Sequence, residues 1–424
     1  MNIYRTKELE MKNCNSSTRL SKREYFVYLA IFVFIIVLRR PEAIFHPEFW
    51  AEDGFFWYKQ AYDIGFPSIF FPENGYLQSA SRLVAIISQP LPISFAPAIF
   101  AFFALVAQLA PIAILLSKRF DNVIKNKQTR IIICLIYVLI PNSFETNINL
   151  TNAQWHLSLV LFLLIISESL KNSIFEYTLI IISALSGPFS VLMSPIIAFE
   201  AYIKRKQQRS IKKHVVALSC SFIQSLFLIS SMEQTRSTEN LGSSIKSFAT
   251  IFVNNIFIGG TLGRLAKPFI LAIDNYVYAL FIIFFIIVML AFFFGGKIYK
   301  EFWLFSAAII STALISPMVS LTQPQWPIME TMGAGDRYYV IPIIAMNIGF
   351  LVLSFNKSPV IKSIGIGMLS IFFLSAPFNF LYNDSQYKNT GFYKEAKIFH
   401  QLPYGATMKF NESPPGWKFS LTKR

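Results

Sequence analysis

The sequence predicts an all-α integral membrane protein, and three observations support this fold class. Hydrophobic residues make up 54% of the 424 positions and charged residues only 14%, which is more apolar than a soluble core requires. Apolar runs recur along the whole chain, and a helix needs about 20 mostly apolar residues to cross a bilayer. The runs lack the alternation that a membrane β-barrel shows. The chain is therefore predicted to be helical and polytopic.

Each apolar run is interpreted as one crossing, which gives about eleven transmembrane helices. Several runs are shorter than a full span, so their boundaries are allowed to shift by a few residues. The predicted helices cover residues 25–38, 95–116, 131–140, 155–166, 177–185, 188–203, 215–229, 269–294, 302–318, 338–353 and 360–376.

The basic residues account for the net charge of +15 and predict the orientation. They gather in short connections that alternating crossings place on the side of the N-terminus. By the positive-inside rule this side is cytoplasmic, so no nucleic-acid partner is expected. The clusters are Lys22 with Arg23, residues 118–130, residues 204–213, Lys297 with Lys300, and Lys357 with Lys362.

The predicted organisation follows from this orientation. Residues 1–24 form a cytoplasmic tail and residues 25–377 form the transmembrane domain, whose first outer loop covers residues 39–94. Residues 378–424 form a small outer tail. The remaining outer loops cover residues 142–154, 233–268 and 319–337, and loops rich in polar and aromatic residues are where functional sites tend to lie.

The first outer loop places Glu52 and Asp53 side by side in the stretch FWAEDGFFWY. The aromatic run predicts a short helix at the membrane interface. Neighbouring helical residues point about 100° apart, so only one carboxylate can face a cleft while the other orients or caps. Asp53 is the one favoured for chemistry. The competing interpretation is that the pair only caps this helix, whose N-terminus favours negative charge.

A first span with a cytoplasmic N-terminus, followed by a large outer loop with this acidic pair, resembles the GT-C glycosyltransferases. Within that group the chain is most similar to the phage-type, serotype-converting O-antigen glucosyltransferases. Three downstream pieces occur in the expected order: NLTNAQWHL, LSGPFS and GDRYYVIP. The resemblance implies transfer of a sugar, glucose by analogy, from undecaprenyl phosphate to a surface glycan such as the O-antigen of lipopolysaccharide. It also implies a periplasmic active site, a periplasmic C-terminus and a bacterial inner-membrane location.

The resemblance assigns roles to particular residues. Asp53 is expected to act as general base, with Glu52 as support or substitute. Cations near the outer interface are expected to bind the donor phosphate, with Arg337 preferred. The competing reading of Arg337 is a pair with Asp336 or a side chain that reaches to the interface. The other candidate cations are Arg40, Arg82 and Arg264.

Amides beside aromatic rings are typical of sugar recognition, because amides bind hydroxyls while a ring covers the C–H face. The same residues also form ordinary interfacial belts, so both readings stand. No second His or carboxylate lies at a metal-ligating spacing from His156, so no metal ligand is expected. No cofactor is expected either, and any need for a divalent metal is left open. The candidate sugar or acceptor residues are Trp57, Tyr58, Glu145, Asn152, Gln154, Trp155 and His156.

Two other functions stay open at this point. A flippase or transporter for lipid-linked glycans would need charged residues near the bilayer midplane, and few are predicted there. A polysaccharide polymerase would concentrate arginines in later outer loops, whereas here the acidic first loop dominates. The partners expected for a transferase are a polyprenyl-phosphate sugar donor, a cell-surface or lipid-linked glycan acceptor and the membrane lipids.

Overall fold

The computed structural model describes residues 19–168, 173–231, 239–320, 322–380 and 389–424. Helices dominate this part of the chain. The α-helices are Lys22–Arg39 (α1), Glu42–Phe45 (α2), Lys59–Ile64 (α3), Ser79–Ser88 (α4), Ala96–Leu116 (α5), Lys127–Leu139 (α6), Ala153–Ile166 (α7), Ile174–Ala184 (α8), Phe189–Lys206 (α9), Lys212–Ser230 (α10), Ile245–Ile251 (α11), Gly259–Leu262 (α12), Ile270–Asn275 (α13), Val277–Phe294 (α14), Lys297–Ile315 (α15), Gln325–Met329 (α16), Val340–Ser354 (α17), Pro359–Phe380 (α18) and Phe392–Gln401 (α19).

Shorter elements connect these helices. Asp53–Tyr58 and Phe252–Ile258 are π-helical turns, and Asp336–Tyr339 is a 3₁₀ turn before α17. Two antiparallel strands, Thr407–Glu412 (β1) and Trp417–Thr422 (β2), form a hairpin near the C-terminus.

The helices have the length and surface of a polytopic membrane protein. Within the described residues, seven helical segments are long and apolar enough to cross a bilayer. They are Ile93–Leu116, Lys212–Ser230, Ile245–Asn275, Val277–Phe294, Lys297–Ile315, Asp336–Ser354 and Pro359–Phe380. Large apolar side chains such as Phe222, Phe293 and Leu374 are exposed, and soluble proteins rarely expose extensive patches of this kind. The helical membrane class is therefore supported, whereas seven segments do not establish eleven crossings.

Two helices form the centre of the bundle. Every residue of α7 except Leu163 is buried, and α17 is buried along most of its length. A helix that is apolar on all sides belongs in a core, and α5 packs on α7 while α18 packs on α17. The loops that precede α7 and α17 carry NLTNAQW and GDRYY, so the two central helices position both pieces.

Contacts between loops sort them to two ends of the bundle. At one end, the basic end, Lys127 pairs with Glu24 at 3.1 Å and Lys297 pairs with Glu200. The opposite end carries the 39–94, 142–154 and 319–337 loops, which contact one another, and is called the site end. There, Arg39 donates hydrogen bonds to the carbonyls of Val138 and Ile140, which close the C-terminus of α6. The connections predicted to be cytoplasmic thus lie opposite the first outer loop.

The prediction of an outer loop over 233–268 and one span over 269–294 is wrong for the described residues. Helical segments run from Ile245 to Asn275, and α14 begins only at Val277. This helical stretch contacts the site end, where Asn254 donates to the Glu330 carbonyl at 3.0 Å. The pattern was missed because Asn254 and Asn255 interrupt an otherwise apolar stretch, and only the folded chain shows that backbone carbonyls accept their amide hydrogens.

The C-terminal region also differs from the prediction, because the hairpin is not α-helical. Residues 389–424 form a small folded unit, called the cap, in which α19 packs on the hairpin. Its Phe410 and Phe419 rings stack at 5.1 Å. The cap docks on the first outer loop, where the Gly54 N–H donates to Glu412 Oε2 at 3.0 Å.

Gly54→Ala should weaken this docking, because a Cβ there would overlap the Glu412 carboxylate and the Phe419 ring. We expect a loss of about 1–3 kcal/mol in stability, measured as a lower denaturant midpoint in detergent. Gly367→Ala in α18, where a Cβ would meet open space, is the control. Equal stability of the two variants would contradict this packing.

Candidate functional site

The acidic pair of the first outer loop lies on a strained turn. Ala51 has a φ of +48°, a conformation that non-glycine residues seldom adopt. Its N–H donates to the Ser413 carbonyl of the cap, which holds the turn in place. Glu52 and Asp53 follow at the start of the π-helical turn and point to different surroundings. Strain of this kind concentrates at functional sites.

Asp53 is buried and hydrogen-bonded within the protein. Thr151 Oγ1 donates to its Oδ1 at 2.8 Å, and the Trp50 N–H donates to its Oδ2 at 3.2 Å. Trp57 Nε1 in turn donates to Thr151 Oγ1 at 2.9 Å. Burial raises the pKa of Asp53 to about 7, although these hydrogen bonds and the Arg40 charge lower it. Asp53 thus fastens the first outer loop to the loop that precedes α7.

Glu52, by contrast, lines a cavity at the site end. The prediction that one carboxylate faces a cleft while the other orients the segment describes the geometry, but the residue on the cavity wall is Glu52 and not the favoured Asp53. Asp53 is not among the described residues that line the cavity. Burial raises the pKa of Glu52, and the nearby Glu145 carboxylate adds to the rise while Arg337 opposes it.

The cavity has a volume of about 570 Å³ and two kinds of wall. A volume of this size suits a small-molecule ligand. Its apolar floor comes from Ile309 and Ala313 of α15. Its polar wall includes Glu52, Glu73, Glu145, Thr151, Asn152, Gln154 and Arg337, and aromatic rings are supplied by Trp57, Trp155, Tyr338 and Trp417.

Arg337 lines the cavity and pairs with Glu145, whereas the competing interpretation gave Asp336 as its partner. Its Nη1 donates to Glu145 Oε1 at 2.7 Å and its backbone N–H donates to Glu145 Oε2 at 3.1 Å. Its Nη2 donates to the Met318 carbonyl at 2.6 Å. About a quarter of each charged side chain remains accessible, 24% and 27% respectively. The pair therefore presents one cation and one carboxylate to a ligand.

Three residues before and within α7 face the same cavity. Asn152 Nδ2 donates to the Glu145 carbonyl at 2.9 Å, which holds the loop closed. Gln154 Oε1 and Trp155 Nε1 are buried and find no hydrogen-bond partner among the described residues. A buried acceptor and a buried donor without partners are costly unless a water or ligand satisfies them. The structure thus offers both groups to a hydroxyl-bearing ligand.

The remaining predicted residues lie outside the cavity lining. Both ring nitrogens of His156 are engaged, by Tyr137 Oη at 2.7 Å and the Thr146 carbonyl at 2.8 Å. His156 thus joins α6 and α7 and is not among the described residues that line the cavity, where sugar contact was predicted. Tyr58 is buried against the Phe49 ring. The described residues contain no cluster of three or more His, Cys, Asp or Glu side chains suited to a metal ion.

Three predicted phosphate-binding arginines are also placed elsewhere. Arg40 is buried, its guanidinium lies over the Trp50 ring at 4.9 Å, and its Nη1 donates to the Asn147 carbonyl at 2.7 Å. Arg82 is buried beneath Trp57 at 5.0 Å. The Arg264 backbone N–H bonds to Asn379 in α18. None of these three arginines is among the described residues that line the cavity, so the structure does not place them beside a phosphate bound there.

The sequence reasoning missed Glu73 and Glu412. Glu73 lines the cavity, and Glu412 is buried beneath Gly54 on the hairpin. Burial raises the pKa of Glu412 to about 9, and the Asp53 charge adds to the rise. Glu412 lies about 360 residues from Asp53 in the chain, so no local pattern links the two. The alternation of polar and apolar residues over 407–411 is a local signal for a strand, and it places Glu412 on the same face as Phe410.

No protein-family model matches the chain, and neither a curated protein nor a solved structure is significantly similar to it. Evidence on function therefore comes from the cavity and its residues.

Docking of the cap should weaken as pH rises. Because the pKa of Glu412 is raised to about 9 in the folded state, that state retains a proton which the undocked state releases above its ordinary pKa. Between these two values docking should lose up to about 1.4 kcal/mol per pH unit. Hydrogen exchange of β1 and β2, corrected for intrinsic rates, measures this, and Glu412→Gln should flatten the dependence. Hydrogen exchange in the wild type that does not change with pH would contradict the raised pKa of Glu412.

Proposed function

We propose that the protein is a GT-C-type glycosyltransferase that moves a sugar from a polyprenyl-phosphate carrier to a surface or lipid-linked glycan. The observation that carries this proposal is the cavity with two kinds of wall. Carboxylates, amides and rings suit a hydroxyl-rich head, and the apolar side chains of Ile309 and Ala313 suit a hydrocarbon tail. A lipid-linked sugar combines both features. Glucose and undecaprenyl phosphate come from the sequence resemblance alone.

In the proposed reaction Glu52 acts as general base. It removes the proton from an acceptor hydroxyl while that oxygen bonds to the anomeric carbon of the donor sugar. The bond between this carbon and the phosphate oxygen breaks, and the lipid phosphate leaves with the electron pair. The raised pKa of Glu52 supports this role, because a stronger base is closer to the optimum for neutral pH. Asp53 holds Glu52 in position through its bonds to Thr151 and Trp50.

Arg337 is proposed to bind the donor phosphate. Carboxylates outnumber cations in the cavity lining, so a phosphate must lie beside Arg337, near Met318, and away from Glu52 and Glu73. The charge that develops on the leaving phosphate would be stabilised there by the guanidinium. Glu145 keeps the guanidinium oriented.

The proposed topology has eleven crossings, with the site end facing the periplasm across a bacterial inner membrane. The crossing helices would be α1, α5, α6, α7, α8, α9, α10, α14, α15, α17 and α18. The helical stretch Ile245–Asn275 would remain at the site end, as its contact with Glu330 supports. The basic connections lie at the opposite end, which supports a cytoplasmic N-terminus and a periplasmic C-terminus.

A flippase and a polymerase are the alternative functions. Among the described residues, the charged groups Glu200, Lys297 and Glu301 form ion pairs at the basic end and leave no evident charged path across the bundle. A polymerase would join glycan repeats, whereas the proposed transferase adds single sugars to an acceptor. Analysis of the glycan product separates these activities.

Glu52→Gln should abolish transfer without unfolding the protein, because the amide keeps the shape of the side chain but accepts no proton. We expect the rate to fall by about 10²–10⁴-fold. The measurement is surface-glycan composition and linkage in cells with equal membrane levels of each variant, and Glu42→Gln in α2 is the control. Normal modification by Glu52→Gln, with loss in Asp53→Asn, would return the base to Asp53. A wild type that alters only the distribution of lipid-linked glycan would favour the flippase.

Arg337→Lys should weaken use of the donor more than use of the acceptor. Lysine keeps the charge but loses the planar fork that bonds to Glu145 and Met318. We expect the donor KM to rise about 10-fold. Steady-state kinetics in detergent with varied donor measure this, and Arg264→Lys at the same end of the bundle is the control. An unchanged donor KM would remove Arg337 from the phosphate site.

A further inference from the structure

A second depression adjoins the cavity, between the first outer loop and the hairpin of the cap. This groove has a volume of about 840 Å³. Phe55 and Lys59 line one side, and Lys409 and Lys418 line the other. Phe56 and Trp417 line both the groove and the cavity, so a chain-like ligand in the groove could extend directly toward Glu52.

The groove is positively charged. Lys409 pairs with Ser420 across the hairpin and Lys418 pairs with Asn411, so the two lysines are diagonal neighbours on one face. Both are exposed, and neither forms a salt bridge with a carboxylate among the described residues. Lys59 pairs with Asp63, but none of the described residues that line the groove is a carboxylate. The groove therefore contrasts with the acidic cavity beside it.

The groove also presents aromatic rings. Phe55 is 41% exposed, and its ring meets that of Trp417 edge to face at 5.9 Å. Phe56 lies against Phe55 at 4.7 Å. Rings of this kind cover the C–H faces of sugars, and the combination with unpaired lysines selects sugars that carry negative charge.

We infer that this groove binds an anionic glycan, meaning a chain of sugars bearing carboxylate or phosphate groups, as the acceptor. The role of the glycan as acceptor rests on the proposed function, whereas the binding of the glycan to the groove does not. The charged sugars would lie on the hairpin and the reacting sugar would extend past Trp417 into the cavity. The cap would then help to choose the acceptor, while the membrane helices hold the donor.

Binding of two matched oligosaccharides to the full chain in detergent tests this inference. Hexagalacturonate carries a carboxylate on each sugar, and maltohexaose is neutral. By calorimetry, the wild type should bind hexagalacturonate more tightly, and added salt should reduce the difference. Lys409→Gln with Lys418→Gln should weaken hexagalacturonate binding about 10-fold and leave maltohexaose binding unchanged. Trp417→Ala should weaken both.

The control is the double variant Lys394→Gln with Lys397→Gln, which removes two exposed lysines from α19 outside the groove. Equal binding of the two oligosaccharides by wild type, or unchanged hexagalacturonate binding in the groove variant, would overturn the inference. Binding without any sugar transfer would reject the proposed function and retain the anionic site, whereas transfer without charge discrimination would reject only the inference.

Discussion

The site end of the protein depends on the buried guanidinium of Arg40. This group lies over the rings of both Trp50 and Phe144, at 4.9 and 4.7 Å, and donates to the Asn147 carbonyl. It therefore joins the end of α1 to the loop that precedes α7. Removing one partner from a buried charged arrangement typically costs about 3–5 kcal/mol, because the other charge is left uncompensated. The Arg40 charge also favours the ionised form of the Asp53 carboxyl, whose pKa it lowers against the larger effect of burial.

This arrangement explains why the acidic pair divides its roles. With Asp53 drawn inward by Arg40 and Thr151, the strained turn at Ala51 leaves Glu52 on the cavity wall. The neighbouring Ile148 also has a positive φ, +45°, which is strained for a β-branched residue. Two strained positions on adjoining loops indicate that the surrounding contacts, more than local preference, determine the shape of this wall.

The cap completes the site from a distant part of the sequence. Its Ser413 carbonyl holds Ala51, its Glu412 holds Gly54, and its Trp417 separates an acidic cavity from a basic groove. The opposite charges of these neighbouring surfaces suit a ligand with a charged chain and a neutral reacting end. The docking of the cap therefore shapes both the cavity and the groove.

The sequence by itself determined the helical membrane class and the collection of the 39–94, 142–154 and 319–337 loops at one end. Apolar runs and basic connections encode those features locally, and backbone hydrogen bonding in lipid leaves few alternatives. The sequence could not decide which of Glu52 and Asp53 faces the cavity. Neighbouring helical residues point about 100° apart, and only packing against Thr151 and Arg40 determines which of the two points inward. The partner of Arg337, the burial of Arg40 and the approach of Glu412 likewise depend on contacts between segments far apart in the chain, which only the tertiary structure brings together.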